Sequence, residues 1–329
     1  MLRKATAALG LILSVCVLSL SFAADAQQQT AVPRVAFLIS ETLSAQADTI
    51  DAVRAGLLDF GYVDSKNIII ELRAADGDYD RLPGLAAELA RREVDVIVAF
   101  GTKAVSAAVR ATATIPIVDP SMGDPVALGL SSGLARPGKN VTGIVQFSAE
   151  TGAKRVEFLK QALPRIARLA VLVNPVNVST PTQVQAMRAT ANALKLELVV
   201  FKVRSAKEIR ESIATAAEQH LDGIMITTDT IFRSNFVEIA NLATRYRLPS
   251  AGPMDFPAAG GLIGYSTDRA QQYRHSAYFV DRILKGAKPD DLPIERVTKL
   301  QLVINARTAR ALGIAIPQSL LLRADEVIQ

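Results

Sequence analysis

The stretch VDVIVAFGTKAVSAAVR, residues 94–110, predicts the junction around which the fold is built. Its first six residues are nearly all apolar and mostly β-branched, which is typical of a central parallel strand covered on both faces. Alanine, valine and serine at short spacing then predict a helix with Thr102 as its N-cap. The free N–H groups of its first turn would point out of the carboxyl edge of the sheet, where open α/β sheets bind ligands.

A second stretch, LAVLVNPVNVS at residues 169–179, repeats this order of strand, polar turn and helix. Two such edges that face each other predict a clamp of two lobes around a ligand. The alternative for each junction is that it only connects a strand to a helix and touches no ligand.

Strands and helices alternate through two consecutive arrays of similar length. This alternation predicts an α/β protein with parallel sheets and right-handed crossovers. The predicted strands lie near 35–39, 67–73, 94–99, 115–118 and 141–147 in the first array, and near 169–173, 198–203, 223–227 and 260–265 in the second.

The last part of the chain belongs to neither array by order. An amphipathic helix is predicted at 268–285, a strand at 300–304 and a helix at 308–312. We expect these elements to complete both lobes, so that the chain crosses between the lobes three times. The predicted N-terminal lobe is 33–146 plus about 266–290, and the C-terminal lobe is 147–265 plus about 291–329.

The amino terminus has the pattern of a secretory signal peptide at residues 1–26. Two basic residues precede the apolar segment 5–20, and Ala24-Asp25-Ala26 forms a small-residue cleavage site. We expect a mature chain that begins at Gln27 and lies in the periplasm; an uncleaved anchor is the alternative. The single cysteine, Cys16, falls in this segment, so the mature chain is expected to have no thiol.

The composition is that of a globular protein with a large core. The chain has 329 residues, half of them hydrophobic, and no tryptophan. Its net charge of +5 arises from 37 basic and 32 acidic residues. The basic residues are scattered, which indicates a solvated surface and no nucleic-acid partner. No segment after the amino terminus is long and apolar enough to cross a membrane.

Motifs for catalysis are missing from the sequence. No glycine-rich nucleotide motif follows a predicted strand, so phosphoryl and hydride transfer are not expected. His220 and His275 lack a neighbouring histidine and a metal-ligand spacing, and neither Ser106 nor Ser121 lies in a G-x-S-x-G motif. We therefore predict no catalytic residue, no metal site and no cofactor.

Polar residues follow the predicted strands at their carboxyl ends. Helix N-termini there suit a carboxylate and an aspartate suits an ammonium, so the set fits a zwitterion. Some of these residues have a simpler alternative role, since Asp124 and Asn177 are also good N-caps. Phe100, Phe147 and Phe256 lie beside these ends and are candidates for packing on the ligand. The predicted ligand-binding residues are Ser40, Thr42, Gly101, Thr102, Asp124, Asn174, Asn177, Asp229 and Tyr265.

Four stretches together resemble one family. They are VDVIVAFGTKAVSAAV at 94–109, IPIVDPSMGDPVALGLSSGLARPGKNVTGI at 115–144, AGGLIGYSTD at 259–268, and KLQLVINARTARALGIAIPQSLLLRADEVI at 299–328. They are similar to uncharacterised substrate-binding proteins of ABC transporters of the sugar and amino-acid type. The resemblance covers nearly all of the mature chain.

The resemblance implies a type I periplasmic binding protein, with two Rossmann-like lobes and a three-segment hinge. It implies a non-enzymatic protein that captures a small polar ligand, an amino acid or related zwitterion, for an inner-membrane ABC permease and its ATPase. Some members of the family bind aromatic amino acids. We expect a monomer. The alternatives are an exported ligand sensor subunit of a signalling receptor and an exported hydrolase.

Overall fold

The computed structural model describes residues 32–126, 128–146, 148–296 and 299–329. The predicted signal peptide lies outside the described residues. Within them, no helix combines the length and the apolar character that a membrane crossing requires.

The described strands and helices alternate along most of the chain. The strands are β1 (Arg34–Ile39), β2 (Ile69–Ala74), β3 (Val96–Phe100), β4 (Ile117–Met122), β5 (Val141–Val145), β6 (Arg168–Val173), β7 (Glu197–Lys202), β8 (Gly223–Ile226), β9 (Ser250–Gly252), β10 (Ile263–Thr267), β11 (Glu295–Arg296), β12 (Leu300–Asn305) and β13 (Glu326–Ile328). The helices are α1 (Ala47–Asp59), α2 (Leu82–Arg91), α3 (Thr102–Ala111), α4 (Ser148–Ala162), α5 (Thr180–Ala193), α6 (Ala206–Glu218), α7 (Thr230–Arg233), α8 (Phe236–Arg245), α9 (Arg269–Leu284), α10 (Ala306–Leu312) and α11 (Gln318–Leu321).

The first sheet has six strands in the order β11-β5-β4-β3-β1-β2, and all neighbours are parallel. Its central strand β3 is buried at every position, as expected for a strand covered on both faces. Alternate residues of β1 face opposite sides: Ala36 and Leu38 pack with α2 and α3, whereas Phe37 packs with α1 and α9.

The second sheet has seven strands in the order β13-β12-β10-β9-β8-β6-β7. Its strand pairs are parallel except β10 with β12. One face packs against α4 and α5, and the other against α6 and α8. The predicted α/β class with two mainly parallel sheets is confirmed.

The late elements divide between the two sheets. Helix α9 packs against α1, and its residues Tyr273, Ala277 and Val280 belong to a core cluster of the first sheet. Strands β12 and β13 extend the second sheet. Strand β11 pairs with β5 in the first sheet, so residues 295–296 join that sheet although we expected the C-terminal lobe to resume near 291.

Candidate ligand-binding cleft

A cleft of about 380 Å³ lies between residues that follow strands of the two sheets. Ser40 follows β1, Gly101 follows β3, and Asn174 and Thr228 follow β6 and β8 on the opposite side. Carboxyl ends of parallel strands are the usual ligand site of open α/β sheets, and the volume is within the range of small-molecule sites.

The N-terminus of α3 opens onto the cleft. The N-cap is Gly101 and Thr102 is the first helical residue, so the helix begins one position earlier than the sequence predicted. Gly101 has a φ of 96° and a ψ of 150°, a backbone conformation that is readily adopted only by glycine. Among the described side chains none caps this helix, so its first N–H groups are available to acceptor atoms in the cleft.

Across the cleft, two amide side chains hold the carboxylate of Asp229. Asn174 donates from Nδ2 to Oδ1 at 3.1 Å, and Asn177 donates from Nδ2 to Oδ2 at 2.7 Å. Oδ1 also accepts from the backbone N–H of Ile231 at 3.0 Å, which makes Asp229 the N-cap of α7. A carboxylate has about four lone-pair positions, so Oδ2 can accept one further donor.

A buried arginine in α4 fixes the strand ends on this side. Arg155 is fully buried and donates to the carbonyl oxygens of Ile226 at 3.0 Å and Tyr265 at 2.9 Å. It also donates to Thr228 Oγ1 at 2.9 Å, directly before Asp229. Burial lowers the pKa of Arg155 to about 10, which leaves it charged at neutral pH. The sequence analysis did not identify Arg155, although a charged residue directly before the apolar Val156 was the available signal.

The Tyr79 hydroxyl lies near residues of both sides of the cleft. Its hydroxyl donates to Glu41 Oε1 at 3.0 Å, and Thr230 and Asp229 of the opposite side lie close enough to influence it. Burial, followed by the charge of Glu41, raises the pKa of Tyr79 above its ordinary value. The Tyr79 hydroxyl is therefore a neutral donor at physiological pH.

Six of the nine predicted residues line the cleft: Ser40, Gly101, Thr102, Asn174, Asn177 and Asp229. Thr42, Asp124 and Tyr265 are not among its lining residues. Thr42 Oγ1 accepts from Ala45 N at 3.2 Å and Asp124 Oδ1 accepts from Val126 N at 3.0 Å, so both support local turns. Tyr265 packs against Phe158 with ring centres 5.0 Å apart.

The aromatic candidates do not supply a wall of the cleft. Phe100 and Phe256 are 1% and 0% exposed and belong to the cores, because their strands and turns direct them under neighbouring helices. Phe147 lies outside the described residues. Cleft residues that the sequence analysis missed include Tyr79, Gln183, Arg233, Arg269 and Tyr273. Most of them look like ordinary solvated helix residues in the sequence.

Comparison with known proteins gives consistent matches over nearly the whole chain. Residues 35–328 match the family model described as ABC transporter substrate binding protein. A "Tyrosine-binding protein" of Clostridioides difficile is 25% identical over 269 residues, which are 80% of this chain and 77% of that protein.

Two solved structures share the fold. A conserved domain protein from Vibrio cholerae is 28% identical, with a TM-score of 0.85 over 90% of this chain and 100% of the other. A Streptococcus pneumonia protein in complex with L-Trp is 25% identical, with a TM-score of 0.83 over 91% of this chain and 100% of the other. The fold is that of the type I periplasmic binding proteins.

Proposed function

Because the chain belongs to the ABC transporter substrate binding protein family, we propose that it captures an amino acid, with an aromatic one favoured, and delivers it to an importer. Membership implies a small-molecule ligand and a permease with its ATPase as partners. Two relatives, the tyrosine-binding protein and the protein in complex with L-Trp, support the aromatic choice. The proposed form is a monomer that acts in the periplasm after removal of its signal peptide.

The observation that carries this proposal is that one cleft is lined by both N–H donors and a carboxylate, which complement the two charges of a zwitterion. The uncapped N-terminus of α3, with Thr102, offers N–H groups to an anionic or acceptor group. Asp229, held by Asn174 and Asn177, offers an acceptor to an ammonium. A zwitterion satisfies both sides at once.

Capture proceeds by closure of two lobes, each built on one sheet. A ligand that contacts both sides binds the closed state more tightly and so increases its population. Tyr79 supports this mechanism, because it follows β2 of the first sheet and lies beside Thr230 of the second group of elements. The closed surface then serves as the docking face for the permease.

A thermal-shift screen tests the proposal. The panel contains L-tyrosine, L-tryptophan, L-phenylalanine, other amino acids, purines and sugars. An amino acid at 100 times its Kd stabilises the protein by about 2.7 kcal/mol. A shift with a sugar or a purine and with no amino acid contradicts the proposal.

A further inference from the structure

Two guanidinium groups converge in the cleft. Arg233 is the last residue of α7, and Arg269 is the first residue of α9; both line the cleft. They are close enough that the charge of Arg269, after the larger effect of burial, lowers the pKa of Arg233. The two like charges therefore repel each other, and the neighbouring Asp255 offsets this repulsion only at Arg233.

The position of Arg269 also opposes the stability of its helix. It lies in the first turn of α9, where the helix macrodipole is positive and a cation is unfavourable. Residues that break such a local rule without a structural gain are expected at functional sites. The placement therefore favours a role in binding, in addition to the contacts that Arg269 makes with Gln46 and Tyr273.

The two arginines differ in their partners. Arg233 forms an ion pair with Asp255, and its guanidinium carbon lies 5.5 Å from the ring centre of Phe236. Arg269 donates from Nη2 to the neutral Gln46 Oε1 at 2.7 Å, and its guanidinium carbon lies 4.8 Å from the ring centre of Tyr273. Among the described residues, no carboxylate oxygen lies within 4.0 Å of the Arg269 nitrogens. Its charge is thus free to bind an anion.

Positively charged side chains outnumber negatively charged ones among the residues that line the cleft. The cations are Arg233, Arg269, Lys103 and Arg110, whereas the carboxylates are Asp80 and Asp229. Asp229 already accepts three hydrogen bonds. With Arg233 paired to Asp255, the other three cations still outnumber the two carboxylates, which favours a ligand that brings a negative group to this place.

We propose that Arg233 and Arg269 form the subsite for the ligand's carboxylate, an inference that rests on the proposed function. A planar guanidinium matches a carboxylate with two parallel hydrogen bonds, and the two arginines approach from different helices. The N–H groups at the N-terminus of α3 remain available to an acceptor of the ligand from the first sheet's side of the cleft. A ligand that lacks the carboxylate loses its main partner.

Calorimetry with matched acids and amides tests this subsite. The probes are L-tyrosine, L-tyrosinamide, L-tryptophan, L-tryptophanamide and phenylacetate, and the proteins are wild type, Arg269→Gln and Arg282→Gln. Arg282 is an exposed arginine in the last turn of α9, so its variant controls for the loss of one charge. Arg269→Gln is expected to raise the Kd of the bound acid about 10- to 100-fold, with little effect on the amide.

A second readout separates binding from folding. Arg269→Gln should change the melting temperature of the unliganded protein little, because the relief of like-charge repulsion and of the dipole penalty offsets the lost contacts with Gln46 and Tyr273. Equal Kd values of an acid and its amide for wild type would overturn the subsite. An equal rise of both Kd values in Arg269→Gln would overturn it as well. Binding of phenylacetate that depends on Arg269, with no binding of any amino acid, retains the subsite and rejects the proposed function. A wild-type protein that binds no carboxylate probe rejects both.

Discussion

Asn177 donates a hydrogen bond from Nδ2 to Asp229 Oδ2 at 2.7 Å and so ties the loop after β6 to the end of β8. Asn174 makes the parallel contact to Oδ1. These amides orient a carboxylate that also caps α7. Asp229 therefore combines a structural and a proposed ligand-binding role, and the two can be separated by substitution.

Asp229→Asn should separate these roles, because asparagine caps a helix about as well as aspartate but carries no charge. We expect the free energy of unfolding to fall by only about 1 kcal/mol, since one amide loses its acceptor. The Kd of an amino acid should rise by roughly 30- to 1000-fold, or about 2–4 kcal/mol, because its ammonium loses a desolvated partner. Calorimetry and thermal melts on the same variant measure both quantities.

Asn177→Ala is the matched control, because it removes one contact to Asp229 and keeps the carboxylate. Its stability loss should be similar and its loss of affinity much smaller. An unchanged Kd with a lowered melting temperature in Asp229→Asn would show that Asp229 acts only as a cap.

Arg155→Lys should destabilise the protein even though the charge is kept. A lysine ammonium cannot reach the four oxygen acceptors that the planar guanidinium contacts. We expect a loss of about 2–4 kcal/mol in urea unfolding, since buried carbonyl oxygens lose their donors. Arg210→Lys, at an exposed ion pair with Glu238, should change stability by less than about 0.5 kcal/mol. Equal effects at the two sites would mean that Arg155 does not fix the strand ends.

Asp119 should make stability depend on pH. It is 2% exposed, and burial raises its pKa to about 7, against the smaller opposing effect of the Ser121 N–H that it accepts. The unfolded side chain has a pKa near 3.9. Between about pH 4 and pH 7 the folded state therefore holds a proton that the unfolded chain has released, and stability falls as the pH rises.

Asp119→Asn removes this dependence. The variant should match wild type near pH 4 and exceed it at pH 8 by an amount on the order of a few kcal/mol, as measured by urea unfolding across this range. Asp51→Asn, at a 75% exposed carboxylate, serves as the control and should leave the profile unchanged. A wild-type profile that is flat between pH 4 and pH 7 would contradict the buried, neutral state of Asp119.

The proposed discontinuous lobes can be tested with two fragments. Residues 34–146 alone lack α9, so the first sheet's cluster loses Tyr273, Ala277 and Val280. We expect this fragment to melt without cooperativity in circular dichroism. A fragment in which a flexible linker joins 34–146 to 268–296 should melt cooperatively. A cooperative transition in the shorter fragment would argue against the three-crossing topology.

Much of the fold was predictable because its strands carry an unambiguous signal. β1, β3 and β6 are apolar over nearly their whole length, and both faces of their sheets are covered. Polar residues directly after these strands, such as Ser40 and Asn174, could be assigned to one edge because parallel strands end together. The return of β11 to the first sheet was missed, since a two-residue strand has no periodicity.

The remainder of the cleft depends on residues that come together only in three dimensions. Arg233 and Arg269 are on separate helices, and an arginine near a helix end normally indicates a solvated surface. Tyr265 was predicted to contact the ligand but does not line the cleft, for a different reason. It lies within β10, where alternate residues face opposite sides of the sheet, and its ring packs against Phe158. The sequence cannot say which side faces the ligand.

Isothermal titration calorimetry of L-tyrosine, L-tryptophan and L-phenylalanine into the purified mature protein tests the central claim most directly. We predict saturable binding of at least one of them with one ligand per chain, weakened at least about 30-fold in Asp229→Asn. If none of the three gives binding heat while a sugar or a purine does, or if Asp229→Asn binds the amino acid as tightly as wild type, the proposed site and ligand class are contradicted.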